Sequence, residues 1–190
     1  MTARHPMFQP LKNDLEHLGY TFIPVDISWK QMTHSRYIKQ FVAQYSHLKS
    51  ESNIVIGNSF GAVVALLAAD IFKPDRLVLC SLSPFFKESL SNRTTYDYAV
   101  GRFGKRRVED LKKYSIKEIA SVMNLSATKI DFLYGEYEKE EYPLLVDFTQ
   151  KYNELFLNSG TSEVKSAPHS LKNPYYQKFV VELLKGKVDK

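Results

Sequence analysis

Ser59 lies in Gly57-Asn58-Ser59-Phe60-Gly61, after the β-branched run Ile54-Val55-Ile56 and before the alanine- and leucine-rich segment Ala62-Val63-Val64-Ala65-Leu66-Leu67-Ala68-Ala69. The run before it reads as a buried strand and the segment after it as a buried helix. A serine with a glycine two residues away on each side, at such a junction, has the spacing of a nucleophile elbow. The reason for the spacing is steric. The serine takes a strained backbone conformation that lifts its hydroxyl to the tip of a tight turn, and glycines at 57 and 61 are expected to remove Cβ atoms that would clash where strand and helix meet. Unpaired N–H groups at the helix start, that of Phe60 foremost, then point to where negative charge would develop on an attacked carbonyl. A serine hydroxyl is a weak nucleophile at pH 7. The chemistry therefore requires an imidazole to take its proton and a carboxylate to orient that imidazole.

Two duller readings attach to the same stretch. A tight βα turn can carry an inert serine, and an apolar run can be a membrane span. The run 54–69 is short against the roughly 20 residues a span needs, and Gly-Asn-Ser-Phe-Gly interrupts it.

The elements that must position these groups are legible in order. Leu11, Leu15 and Leu18 share one helical face, with Gly19 placed to end that helix. Thr21-Phe22-Ile23-Pro24-Val25-Asp26-Ile27 reads as a strand, at an edge or irregular because Pro24 has no N–H for a ladder. A helix over 33–49 repeats Ile38, Phe41, Val42, Tyr45 and Leu48 at three- and four-residue steps. After the elbow helix, residues 76–82 read as a buried strand and 115–124 as a helix, with no clear strand between 83 and 128. Lys129-Ile130-Asp131-Phe132-Leu133-Tyr134 is the next strand, followed by a helix over 142–157, a weak last strand over 162–165 and a final helix capped by Asn173-Pro174. Alternating strands and helices predict a parallel sheet with helices on both faces and ligands beyond the carboxyl ends of its strands.

Composition sets the outer bounds. A chain of 190 residues, 44% hydrophobic and 13% aromatic, is expected to form one globular domain, 1–190. The single cysteine, Cys80, forbids an internal disulfide and sits in Leu77-Val78-Leu79-Cys80 as a small buried hydrophobe. No signal-like apolar core precedes Pro10, so a cytoplasmic location is expected. The net charge of +5 concentrates at Arg102, Lys105, Arg106 and Arg107, beside Gly101, Phe103 and Gly104. That patch faintly resembles an RNA-binding segment, but Glu109 and Asp110 follow at once and a solvated face accounts for it, so no nucleic-acid partner is expected.

The elbow with its flanks resembles the α/β-hydrolase family. The resemblance implies a three-layer α/β fold with a mostly parallel sheet flanked by helices. The strandless interval at about 84–127 is expected to be a short helical lid, and, in a departure from the family, residues 1–10 are too short for its usual N-terminal strands. The resemblance also implies the chain order serine, acid, histidine. Of the five histidines, His5, His17, His34, His47 and His169, only His169 follows the elbow, in a loop between the last strand and the final helix where the family carries its catalytic histidine. Gly135-Glu136-Tyr137-Glu138 matches the family's Gly-x-x-Asp with glutamate in place of aspartate. Glu138 is thus the first candidate for the acid and Glu136 the second, unless both belong to a solvated run with Glu140 and Glu141. Some members carry the acid one strand earlier, but Cys80-Ser81-Leu82-Ser83-Pro84 has no carboxylate.

The oxyanion would be met by the amide of Phe60 and a second donor near the N-terminus. His5-Pro6 only faintly echoes the family's His-Gly there, which leaves Met7 or Phe8, with Met7 preferred. Asn58, Phe85, Phe86 and Trp29 are the residues expected to border substrate. The implied activity is hydrolysis of a small ester or thioester through an acyl-serine, without metal or cofactor. The competing reading is a catalytically weak hydrolase-fold protein that binds a ligand or partner. A sheet edge left open by missing strands would suit a homo-oligomer.

Overall fold

The computed structural model describes residues 5–29, 33–48 and 50–187. Four parallel strands, β1 (Ile54–Asn58), β2 (Arg76–Cys80), β3 (Lys129–Gly135) and β4 (Ser159–Val164), lie side by side in that order. Among the described residues β1 and β4 form the margins of the sheet. Side chains alternate across it as the period of two requires. Leu77, Leu79, Ile130 and Phe132 enter one cluster, while Val78, Cys80, Leu133 and Val164 enter another.

Helices cover both faces. On one, α1 (Gln9–His17) and α9 (Pro174–Leu184) pack Leu11, Leu15, Tyr176, Val180 and Val181 against the sheet. On the other, α3 (Phe60–Phe72) lies directly on the strands, with α2 (His34–Tyr45) beside it and α8 (Pro143–Asn153) further along. Because α3 is enclosed by sheet, α2 and insertion, it is apolar nearly all round, as a buried helix must be. Each fully buried Val or Leu there contributes roughly 1.5–3 kcal/mol. Truncating Leu66, at 1% exposure, to alanine would cost roughly 2–5 kcal/mol.

Between β2 and β3 the chain forms α4 (Arg93–Phe103), α5 (Lys105–Leu111) and α6 (Ile116–Met123). These are not a loosely laid cover. Phe86, Leu90, Ala99, Val108, Leu111 and Ile116 are all buried in the same cluster as α3 and the strands. The carboxylate of Glu88 fastens the start of α6, accepting from Ser115 Oγ and from the amide of Ile116 at 3.0 Å. Asp110 on α5 accepts from the amide and hydroxyl of Ser35 on α2, at 2.9 and 2.6 Å. No described helix is long and apolar enough to cross a membrane.

The strand expected over 21–27 is absent: these residues form no ladder. Its apolar side chains are nonetheless used, Phe22 packing in the cluster of Ile54 and Ile56, and Val25 and Ile27 in that of α2 and α3. The backbone finds another partner. Tyr45 Oη accepts from the amide of Asp26 at 2.8 Å and donates to the carbonyl of Pro24 at 3.0 Å, so one side chain satisfies two of the backbone groups a ladder would pair. The helix expected over 33–49 stops at Tyr45 and continues as a 3-10 turn through Leu48, residue 49 lying outside the described residues. The last strand begins three residues earlier than 162 and ends at Val164.

Candidate active site

All four parallel strands end at one place, and each delivers one side chain to it just beyond its carboxyl end: Ser59 after β1, Ser81 after β2, Glu138 after β3 and His169 after β4. Ser59 Oγ lies 3.0 Å from His169 Nε2, and His169 Nδ1 lies 2.5 Å from Glu138 Oε1. A carboxylate only accepts, so Nδ1 carries the proton and Nε2 is left to accept from the serine hydroxyl.

The elbow has the strained geometry its spacing predicts. Ser59 has φ 55° and ψ −119°, a combination costly for any residue with a side chain. Its amide donates to the carbonyl of Cys80 at 2.9 Å, anchoring the turn to the neighbouring strand end. The two glycines differ. A Cβ on Gly57 would stand 2.6 Å from Ala62 Cα and 2.6 Å from the Gly61 carbonyl, so only glycine fits. A Cβ on Gly61 would meet nothing within 4 Å, which corrects the expectation that both positions are crowded. Gly61 lies inside α3, where a Cβ points away from the helix backbone.

Glu138 opens the short helix α7 (Glu138–Glu141) and is completely buried. Its Oε2 accepts from the amide of Gly135 at 2.6 Å and from Ser81 Oγ at 2.8 Å. With Oε1 on the imidazole, both oxygens are engaged, as a buried carboxylate requires. Lys139, the next residue of α7, pairs with Glu163 on β4. Glu136, the second candidate acid, faces elsewhere: it accepts from the amide of Ser166 at 2.8 Å and from Lys165 Nζ at 3.4 Å.

Asn58 does not present its amide to an open pocket. Its Nδ2 donates to the carbonyls of Cys80 and of His169, both at 3.2 Å, and its Oδ1 accepts from the amide of Leu171 at 3.5 Å. It thus ties the elbow to the histidine loop. Gln177 on α9 continues the tie, donating to the carbonyls of Leu171 at 3.1 Å and Met7 at 2.8 Å. The amide of Met7 donates to His5 Nδ1 at 3.3 Å, within the N-terminal turn. The amide of Phe60 is the first of α3 and has no acceptor within the helix.

Aromatic rings run outward from the elbow. The ring of Phe60 meets Phe103 at 4.8 Å between centroids, Phe103 meets Phe85 at 5.2 Å, and Phe85 meets Tyr98 at 6.3 Å. Phe86 is fully buried against Tyr152 and belongs to the core rather than to a pocket wall, and Phe85, at 7% exposure, lies in the same core cluster. Trp29 is half-buried on Tyr37 at 4.7 Å, and its carbonyl accepts from Tyr37 Oη and Arg107 Nη2. His34 meets Phe60 at 4.9 Å. Burial holds its imidazole neutral, lowering its pKa to about 4; Asp110 opposes that shift and Arg107 adds to it. Tyr142, at 5.0 Å from the His169 ring, and Ser81 are neighbours of the site with no sequence signature. Among the described residues no cluster of His, Cys, Asp and Glu could hold a metal ion.

The sheet, its flanking helices and the convergence of strand ends on a serine elbow are those of the α/β-hydrolase fold, and the chain has that fold. Solved structures similar to it include Est1E from Butyrivibrio proteoclasticus, with a TM-score of 0.67 at 13% identity over 97% of this chain and 81% of that one. A meta-cleavage product hydrolase, CumD, from Pseudomonas fluorescens IP01 aligns with a TM-score of 0.61 at 13% identity, over 95% of this chain and 85% of that one. An α/β hydrolase from the metagenome of lagoon sediments of Mar Chica, Morocco, gives 0.57 at 16% identity, over 86% and 75%. No protein-family model and no curated protein matches the sequence.

Proposed function

We propose that the protein is a serine hydrolase that cleaves an ester or thioester through an acyl-serine. The observation that carries this is the continuous hydrogen-bond chain from Ser59 Oγ through His169 to a fully buried Glu138. Ser59 Oγ adds to the substrate carbonyl carbon while its proton passes to His169 Nε2. The carbonyl electron pair moves onto oxygen and faces the amide of Phe60. Glu138 keeps the imidazole oriented and stabilises the imidazolium. Collapse expels the alcohol or thiol, which takes the proton from Nε2. Water then adds to the acyl-serine with His169 again as base, releasing the acid and restoring Ser59.

The insertion between β2 and β3 brings Phe103 against the ring of Phe60 beside the nucleophile, and the rings from Phe60 to Tyr98 suit an apolar or aromatic group on a small substrate. Hydrolysis of nitrophenyl esters and thioesters of short and aromatic acids tests the reading. Wild type should turn over at least one, and Ser59→Ala, His169→Ala and Glu138→Gln should each lose about a thousandfold or more. A folded wild type inactive on every member of such a panel would count against it.

One observation favours a second reading, a hydrolase-fold binder with little turnover. The amide of Met7, the expected second oxyanion donor, is directed to His5 Nδ1. Such a protein would hold its ligand equally well with Ser59→Ala.

A further inference from the structure

Ser81 is the residue beyond β2, the one strand end of the four for which the proposed reaction has no use. Three features set it apart from an ordinary buried serine. It is fully buried and holds φ at +51°, a left-handed conformation that a non-glycine residue adopts at a cost. Its amide is drawn to the carbonyl of Leu133 at 2.7 Å, which fixes the turn against β3. Its hydroxyl reaches Glu138 Oε2 at 2.8 Å and lies 3.2 Å from Tyr176 Oη on α9.

Proton counting orders these contacts. A serine hydroxyl has one proton, and a carboxylate oxygen only accepts, so Ser81 donates to Glu138 and Tyr176 donates to Ser81. Two hydroxyl dipoles thus point in sequence at Oε2 while Oε1 holds the imidazole. Burial holds both Tyr176 and Cys80 in their neutral, protonated forms, reinforced by Cys80 and then Glu138 at Tyr176 and by Glu138 and Asp131 at Cys80. They bring no second negative charge beside the carboxylate.

We propose that the Ser81 hydroxyl, supported by Tyr176, is a positioning residue for Glu138: it fixes the rotamer in which Oε1 meets His169 Nδ1. A glutamate has one more rotatable bond than an aspartate, and buried in an enclosed space it needs a partner on each oxygen to take one conformation. Gly135 supplies one donor to Oε2 from the end of β3, and Ser81 supplies the other from the turn after the neighbouring strand β2. Without the hydroxyl, Oε2 has one donor and the carboxylate can turn away from the imidazole. The kinetic consequence rests on the hydrolase reading; the geometric one does not.

The test uses Ser81→Ala, Ser81→Gly and Tyr176→Phe in the full chain. Glycine removes the hydroxyl but suits a positive φ, so it separates the lost bond from a folding defect. Two readouts are taken on each variant: kcat and KM on the best ester, and the nitrogen chemical shifts of His169 in protein labelled with ¹⁵N-histidine, which report its tautomer without substrate. Wild type should show the Nδ1–H tautomer. Ser81→Ala and Ser81→Gly should lower kcat roughly tenfold with KM within about twofold, and shift the imidazole toward a mixture of tautomers. Tyr176→Phe should act in the same direction by about two- to threefold. Unchanged kcat and unchanged shifts in a folded Ser81→Gly would overturn the proposal. Should wild type turn over no ester, the shifts decide alone: a changed tautomer supports positioning by Ser81, and an unchanged one overturns it.

Discussion

Gly135 at the end of β3 and Ala167 in the histidine loop are pressed so close that no side chain fits between them. A Cβ on Gly135 would stand 2.3 Å from the Ala167 carbonyl oxygen and 2.8 Å from that of Pro168. The contact brings the loop of the acid against the loop of the histidine, and it complements the one at Gly57 that brings strand against elbow helix.

The three glycines around the site should therefore respond differently to alanine. Gly57→Ala and Gly135→Ala force backbone apart and should each destabilise by about 3 kcal/mol, with loss of activity. Gly61→Ala adds a methyl where nothing stands within 4 Å and should stabilise α3 by about 0.5–1 kcal/mol. Denaturant unfolding of the three variants measures all of this.

Asn58 distinguishes positioning from substrate binding. Its side chain spans the carbonyls of Cys80 and His169 and the amide of Leu171. Asn58→Ala should lower kcat about tenfold and leave KM within about twofold, because what it loses is the placement of the histidine loop. Steady-state kinetics on one ester checks this. A raised KM at unchanged kcat would return Asn58 to the role of a substrate contact.

His34 gives the stability curve a recognisable slope. Its pKa is near 6.5 when unfolded and about 4 when folded, so between these values the unfolded chain binds the extra proton. Stability therefore rises with pH across that window, and is lost as pH falls from about 6.5 toward 4, by about 3 kcal/mol in all. The charged groups that act on the ring are Asp110, which opposes the shift, and Arg107, which adds to it. His34→Phe should flatten that part of the curve relative to wild type, measured by denaturant unfolding at a series of pH values. Equal slopes would show that the imidazole is protonated in the fold as readily as outside it.

How far the site was legible depended on whether each feature is local. The elbow was, because an apolar strand and an apolar helix flank five residues of contiguous chain. His169 is a candidate only through the serine–acid–histidine order, and Glu138 through that order together with the Gly-x-x-Glu spacing after β3. Ser81 was invisible: a small polar residue after a strand is common, and its partner lies 57 residues on. The strand expected over 21–27 failed for a related reason, Tyr45 Oη reaching back from α2 to satisfy the backbone at Pro24 and Asp26. Helices α4 and α5 lie within the helical lid expected over about 84–127, but their separate bounds are not legible because their sequences are rich in Arg, Lys, Thr and Tyr and their buried faces rest on few residues, Thr95, Ala99, Val108 and Leu111 among them. Gly61 and Gly57 flank Ser59 at equal spacing, and only the fold shows which of them touches backbone.

The most direct test of the account is covalent. A fluorophosphonate probe should label the folded wild-type protein on Ser59 at one probe per chain, located by mass spectrometry of the peptide carrying residues 57–61. Ser59→Ala should abolish labelling, and His169→Ala should slow it by about a thousandfold. A folded wild type that stays unlabelled, or a Ser59→Ala variant labelled at the wild-type rate, would contradict the assignment of Ser59 as nucleophile.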